Sequence, residues 1–131
     1  MSAVVDSSVL IAALIDSGAD GNWAEEILSA SALHAPELAR VETTNILRRL
    51  ELAGRISTSQ ASAAFEDFMQ LAIVLYPFEP FADRVWALRH SVTGYDAWYV
   101  ATAEALNLPL ATLDGRLAKA KGIKCRFLLP R

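Results

Sequence analysis

Apolar residues along the chain follow two patterns: short unbroken runs, and longer stretches in which they recur every three or four positions. Short runs that include β-branched residues are typical of buried strands, whereas the wider spacing is typical of helices with one buried face. The runs predict five strands, at residues 3–5, 33–35, 73–75, 110–112 and 125–129.

The longer stretches lie between these runs and predict the helices. Local signals mark several helix starts: Asp6 or a following serine can cap the first, Pro36 and Glu37 suit the start of the third, and Ser57 caps the fourth. The predicted helices cover residues 7–15, 22–31, 36–53, 57–71, 80–91, 93–106 and 115–121.

Short strands that alternate with helices predict a parallel sheet covered on both faces. We therefore expect the α/β class, as a three-layer α/β/α sandwich built on a short-stranded parallel sheet. The chain has 131 residues, 53% hydrophobic and 21% charged, which is enough apolar material for one core. Because no internal repeat or long linker divides it, we predict a single domain over residues 1–131.

Composition limits the location of the protein and the kind of metal site it can contain. No apolar stretch approaches the roughly 20 residues that span a bilayer, and the first apolar run contains Asp6, unlike a signal peptide. We expect a cytoplasmic protein without a membrane contact. A single cysteine, Cys125, and two separate histidines, His34 and His90, make a thiolate or imidazole site improbable, so any metal would be held by oxygen.

Charge is distributed unevenly along the chain. Residues 1–114 contain all fifteen acidic residues, whereas residues 115–131 contain six of the twelve basic residues and no acid. The formal net charge of -3 argues against a generally basic nucleic-acid-binding surface. The basic C-terminal segment could contact phosphates, or it could be an ordinary solvated surface.

Four acidic side chains are predicted to converge. Asp6 and Asp114 each follow a predicted strand, and ligands of parallel sheets bind at the carboxyl ends of the strands. Asp96 lies on the inward face of its helix with no Lys or Arg within a turn, and Glu42 lies inside the apolar stripe of another helix with Asn45 beside it. A charge on a core-facing stripe is costly unless a partner compensates it.

Each acid also has an ordinary structural explanation. Asp6 could cap the helix that follows it. Asp114, which precedes Gly, could be an ordinary turn residue. Asp96 lies in the first turn of its helix, where the helix dipole stabilises a negative charge. Glu42 could pair with a neighbouring arginine such as Arg40. These separate explanations do not account for the convergence of all four.

Carboxylates that lie together repel one another unless a cation lies among them. Mg²⁺, or Mn²⁺ in its place, prefers carboxylate oxygens and retained water, and such a site promotes hydrolysis of a phosphodiester. The pattern therefore predicts hydrolysis of a nucleic-acid backbone, with either one or two ions. Arg116 follows Asp114 by two positions and could hold a substrate phosphate, or it could be a solvated helix residue.

Four segments together resemble a known family: V-V-D-S-S-V-L, V-E-T-T-N-I-L-R-R-L, Y-D-A-W-Y-V-A-T-A-E-A-L and L-A-T-L-D-G-R-L. In order and spacing they look like the PIN-domain ribonucleases, most closely the VapC toxins of bacterial toxin-antitoxin pairs. The similarity covers nearly the whole chain. Thr102, where a Leu is commoner, is a difference that we interpret as a packing variation.

The resemblance implies a Mg²⁺-dependent endoribonuclease that forms a homodimer and is silenced by a VapB-type antitoxin. It makes the acidic residues the metal-binding and catalytic set: Asp6, Glu42, Asp96 and Asp114. It gives supporting roles around the metal to Ser7, Asn45 and Thr112. The resemblance does not specify which RNA is cut.

Two classes of alternative function stay open at this point. One is a catalytically silent PIN-like binding module, against which the complete acidic set argues. The other is a different Mg²⁺-dependent phosphohydrolase on a similar sheet, although a haloacid-dehalogenase-type phosphatase would need an Asp where this chain has Ser8. No G-x-S-x-G elbow, Walker loop or dinucleotide fingerprint supports other chemistry.

Overall fold

Five strands form one parallel sheet in the computed structural model, which describes every residue from Met1 to Arg131. In chain order the strands are β1 (Ser2–Val5), β2 (Ala32–Pro36), β3 (Ile73–Tyr76), β4 (Leu110–Ala111) and β5 (Phe127–Leu128). Across the sheet the order is β3, β2, β1, β4, β5, so β1 lies at the centre. All five predicted strands are confirmed, with small differences at their ends.

Six α-helices connect the strands. They are α1 (Ser7–Ile15), α2 (Ala19–Ala30), α3 (Leu38–Leu52), α4 (Thr58–Gln70), α5 (Ala82–Ala87) and α6 (Gly94–Leu106). Side chains cap three of them as local chemistry favours: Asp6 caps α1, Ser57 forms a capping box with Gln60 at α4, and Thr93 caps α6. None of the helices has the length and apolar character needed to cross a membrane.

The predicted α/β/α sandwich is confirmed by the way the elements pack. Ala3, Val4 and Val5 of β1 are all completely buried, as expected for a central parallel strand covered on both faces. Helix α1 packs against α2, α3 and α4, while α6 packs against α5 and the strands β1 and β2.

Two predicted helices are wrong in extent or type. The stretch 80–91 begins as a 3₁₀ turn (Glu79–Phe81), and the α-helix that follows ends at Ala87. Beyond it, the backbone N–H groups of Arg89 and Ser91 each donate to the carbonyl three residues earlier. The stretch 115–121 contains only a 3₁₀ turn, Leu117–Lys119. So few residues between Gly115 and the left-handed Gly122 cannot offset the unfavourable nucleation of an α-helix.

The junction between α1 and α2 depends on the absence of a side chain at Gly21. A Cβ atom at this position would lie 1.7 Å from the carbonyl oxygen of Asp16. Glycine therefore allows α2 to begin directly against the end of α1. This close approach brings together the two helices that later form one side of an apolar groove.

The C-terminal segment is attached to the helical layer through Glu104 of α6. The guanidinium of Arg84 donates from Nε to Glu104 Oε1 at 2.6 Å and from Nη2 to Oε2 at 3.1 Å. Nη2 also donates to the carbonyl of Gly122 at 2.6 Å, and the backbone N–H of Lys124 donates to Glu104 Oε2 at 2.7 Å. One carboxylate thus joins α5, α6 and the chain that leads into β5.

Glu104 should stabilise the fold in a pH-dependent way. Burial raises the pKa of its carboxyl group, but the bonds from Arg84 and Lys124 outweigh burial and hold the pKa below its ordinary value. A lowered folded-state pKa means that the stabilisation is complete above the pKa of the unfolded chain. It is lost as the pH falls through the folded-state pKa.

We expect Glu104→Gln to lower the free energy of unfolding by about 1–3 kcal/mol at neutral pH, because charge-assisted bonds are lost. Urea unfolding at several pH values measures the effect, and the difference from the unsubstituted protein should shrink in acid. Glu66→Gln, an exposed acid without a side-chain hydrogen bond, is the control. An equal effect of both substitutions, or one that does not change with pH, would contradict the assigned role.

Candidate active site

The pairing of the central strands places Asp6 beside Thr112. Val5 of β1 lies opposite Ala111 of β4, so the next residue of each strand emerges at the same carboxyl edge of the sheet. There the hydroxyl of Thr112 donates to Asp6 Oδ2 at 2.5 Å. This contact joins residues 106 positions apart in sequence and depends entirely on the sheet register.

Asp6 is held by three donors although it is almost fully buried, with 8% of its surface exposed. In addition to Thr112, the hydroxyl of Ser8 donates to Oδ1 at 2.5 Å and the backbone N–H of Val9 donates to Oδ1 at 3.2 Å. Oδ1 therefore has both lone pairs occupied, whereas Oδ2 keeps one lone pair free. The carboxylate is oriented by the protein and can still accept one more partner.

Burial raises the pKa of Asp6, although the bonds from Ser8, Thr112 and Val9 act in the opposite direction. The negative charge of Asp96 raises the pKa of Asp6 further, which places the two acids within electrostatic reach of each other. The pKa of Asp96 is raised as well, first by burial and then by the charge of Asp114. Asp96 is thus linked by charge repulsion to Asp6 and to Asp114, two of the other three predicted acids.

Asp96 and Asp114 face an open groove of about 550 Å³ at this edge of the sheet. Thr93 caps α6 by accepting the backbone N–H of Asp96 at 3.2 Å, which fixes the first turn that carries the acid. Asp114 Oδ1 accepts the backbone N–H groups of Arg116 and Leu117, at 2.9 and 3.3 Å, as an aspartate at the start of a turn commonly does. Both acids keep part of their surface open to solvent.

Glu42 reaches the site through Tyr99. The Tyr99 hydroxyl donates to Glu42 Oε1 at 2.7 Å, linking α3 to α6. Burial and the bond to Glu42 raise the pKa of Tyr99, and the charge of Asp6 adds to the effect. Tyr99 therefore stays protonated at neutral pH and acts as a fixed donor between two acids.

The predicted supporting residues differ in how close the structure places them to the acids. Thr112 contacts Asp6 directly, and Ser7 lies against the Tyr99 hydroxyl, whose pKa it lowers. Arg116 is 97% exposed, with Nε 3.9 Å from Asp114 Oδ1. Asn45 is exposed and makes no side-chain hydrogen bond, so the structure does not bring it to the acids.

Several residues of the site were missed by the sequence reasoning. Ser8, rather than Ser7, donates to Asp6, and its oxygen also accepts the backbone N–H of Leu113 at 3.1 Å. Tyr99 lies three residues after Asp96 and so on the same face of the helix, which is a usable signal for its role. Arg89 and His90 line the groove beside Asp96, although nothing in the local sequence points there.

The chemistry of these donors suits a hard cation. All of them are oxygens, the acids repel one another, and Asp6 has one free lone pair directed by fixed neighbours. No group of three or more Asp, Glu, His or Cys side chains lies close enough together to ligate one ion. The arrangement therefore fits an ion held by one or two carboxylates and water, as Mg²⁺ usually is, rather than a closed protein cage.

Comparison with known proteins adds to this geometry. Residues 3–123 match the family model of the PIN domain. The chain is 42% identical over 129 residues to Ribonuclease VapC1 of Mycobacterium tuberculosis, covering 98% of this chain and 97% of the relative.

Two solved structures from the same organism share the fold. VapC20, described as a sarcin-ricin loop cleaving toxin, superposes with a TM-score of 0.70 at 18% identity, over 94% of this chain and 97% of that one. VapBC-5, a member of the VapBC family of toxin-antitoxin systems, has a TM-score of 0.55 at 23% identity, over 100% of this chain and 99% of that one.

We expect Thr112→Val to lower the free energy of unfolding by about 1–3 kcal/mol at neutral pH in chelating buffer, because buried Asp6 loses a donor. The loss of unfolding free energy should diminish in acid, because a protonated Asp6 carries no charge and is less costly to bury without the Thr112 donor. Thr102→Val is the matched control, since Thr102 is equally buried but donates only to the helix carbonyl of Trp98 at 2.7 Å. Equal, pH-independent losses in the two variants, measured by urea unfolding, would argue against the Asp6 contact.

Proposed function

The chain belongs to the PIN-domain family and, within it, to the VapC ribonucleases, and we propose that it is a metal-dependent endoribonuclease. The observation that carries this proposal is the set of repelling carboxylates, Asp6, Asp96 and Asp114, at the carboxyl edge of the sheet beside an open groove. The 42% identity to a curated ribonuclease over nearly the whole of both chains supports the same activity.

Asp96 and Asp114 are the proposed direct ligands of a divalent ion, because both acids face the groove and remain partly open. Asp6 joins them through a water molecule bound to the free lone pair of Oδ2. We propose Mg²⁺, with Mn²⁺ able to substitute. A bound ion would supply positive charge to the non-bridging phosphate oxygens and lower the pKa of a water molecule.

The other residues act on the acids or on the substrate. Thr112 and Ser8 fix the rotamer of Asp6, and Tyr99 fixes that of Glu42, so these carboxylates do not have to be ordered when substrate arrives. Glu42 is the proposed fourth acid. Arg116 is the proposed contact for a substrate phosphate.

Two alternatives are less well supported. In a catalytically silent PIN-like module, the capping of α1 would explain the buried Asp6 but not the charge repulsion that Asp96 has with Asp6 and Asp114. Another phosphohydrolase on a similar sheet would not account for the ribonuclease named among the relatives at 42% identity. The proposed substrate is therefore RNA.

We further propose that the protein is the toxin of a toxin-antitoxin pair, with a VapB-type antitoxin as its partner. Solved VapBC-5, a toxin-antitoxin member with the same fold, supports this assignment. The chain also has a groove that suits a partner segment, between α1, α2 and α4. Its apolar lining includes Leu14, Leu28 and Leu71, and its acids are Asp16, Glu25 and Asp67.

This groove suits an amphipathic segment with apolar anchors and basic neighbours, because its walls are apolar and its charges are negative.

A homodimer of the toxin is also proposed. Large apolar side chains exposed on α3 and α4 offer material for an interface: Val41, Leu52, Phe65 and Met69.

We expect Asp96→Asn to lower the rate of Mg²⁺-dependent RNA cleavage by at least about 100-fold, since even residues behind metal ligands contribute 10–100-fold. The assay follows a pool of cellular RNAs incubated with purified, partner-free protein in Mg²⁺, in Mn²⁺ and in chelator. Asp20→Asn, an exposed acid at the start of α2, is the control. Undiminished cleavage by folded Asp96→Asn would remove Asp96 from the site.

We expect Leu14→Glu to weaken binding of a co-expressed VapB-type protein by at least about tenfold, because a charge would replace an apolar anchor in the groove. Co-purification and titration of the separated proteins measure the loss. Val74→Glu, on the outward face of edge strand β3, should leave binding intact, since 52% of this residue is exposed away from the groove. If both variants bind the partner normally, the groove is not its docking site.

A further inference from the structure

An exposed tryptophan and an arginine form a stacked pair at the rim of the acidic groove. Trp86, near the end of α5, is 68% exposed, whereas Trp23 and Trp98 are partly buried against the core. The guanidinium carbon of Arg89 lies 4.4 Å from the centroid of the Trp86 ring. Most of the Trp86 side chain is therefore accessible to a binding partner.

Arg89 is held in place but its charge is not neutralised. Its Nη1 donates to the backbone carbonyl of Trp86 at 2.9 Å, and the stack on the indole fixes the plane of the guanidinium. No carboxylate forms an ion pair with it, in contrast to Arg84 and Arg116. Arg89 also lines the groove that contains Asp96 and Asp114.

The pair therefore presents a fixed positive charge and an open aromatic face beside an acidic floor. The acidic floor repels an approaching polyanion, whereas Arg89 and Arg116, which both line the groove, attract its phosphates. A planar guanidinium binds phosphate oxygens in pairs, and an exposed indole offers a stacking surface to a nucleobase. Single-stranded RNA meets both needs, because the bases of a duplex are stacked inside the helix and cannot reach Trp86.

We propose that Trp86 and Arg89 form a binding site for single-stranded RNA next to the acidic groove. Arg89 holds a backbone phosphate, and the free face of Trp86 stacks against a base. The site deepens the proposed ribonuclease function and rests on it, since the bound strand leads into the groove of Asp96 and Asp114. It restricts the substrate to RNA that is unpaired beside the cleaved bond.

The test measures binding apart from cleavage. Fluorescein-labelled polyuridylate is titrated with Asp96→Asn protein in chelator at several salt concentrations. The anisotropy of the label gives the affinity, and tryptophan fluorescence is followed in parallel. Arg89→Ala should lower the slope of log affinity against log salt by about 0.7, the value for one phosphate contact on a single strand. Arg55→Ala, an exposed arginine in the turn between α3 and α4, should leave the slope unchanged.

Trp86 is tested by two substitutions in the same background. Trp86→Ala should weaken binding about tenfold, as expected for one base stacked on an aromatic ring. Trp86→Phe should retain most of the affinity, because a ring remains, while abolishing the quenching of fluorescence caused by RNA. Thermal unfolding of each variant shows whether the fold is kept. Arg89→Lys keeps the positive charge, so its slope of log affinity against log salt should match that of the parent protein and not that of Arg89→Ala, even if stability falls.

Several outcomes would overturn the site: no binding of polyuridylate at low salt, identical slopes for Arg89→Ala and Arg55→Ala, or unchanged quenching in Trp86→Phe. These results are separable from the ribonuclease assay. Cleavage without a slope change would keep the proposed activity and refute this site. A slope change in a protein that never cleaves RNA would keep the site and refute the activity.

Discussion

The burial of a carboxylate at the end of the central strand constrains the whole carboxyl edge of the sheet. An ionised Asp6 in this position would be strongly destabilising without donors, and the three that it has come from α1 and from the end of β4. Any change in the register of β1 and β4 would remove Thr112 from reach. The Thr112 hydroxyl that stabilises Asp6 also accepts the backbone N–H of Asp114, so the same side chain helps to position a second acid.

This constraint explains why much of the site could be predicted from the sequence. Asp6 and Asp114 follow apolar runs, and the end of a parallel strand is a predictable place in space. The inward position of Asp96 follows from the helical period alone. The sheet, its parallel arrangement and its covering helices follow in the same way, because their signals are local and repeat along the chain.

The rest depends on contacts that no local pattern encodes. Ser7 and Ser8 are adjacent in sequence, and only the rotation of α1 against β4 determines that Ser8 points at Asp6. The role of Tyr99 needs α3 and α6 to lie side by side, which is a property of the assembled core. Arg89 lines the groove from the stretch that follows the end of α5, where the sequence predicts a continuous helix.

The attachment of the C-terminal segment through Glu104 has a consequence for its basic residues. Because β5 pairs with β4 and Lys124 is bonded to Glu104, the backbone of this segment is ordered when the protein folds. Lys119, Lys121 and Arg126 therefore project from a defined scaffold and not from a loose arm. Binding of a polyanion to these residues would cost little entropy for ordering the protein backbone. The affinity would therefore depend mainly on how well the spacing of the negative charges matched that of the basic residues.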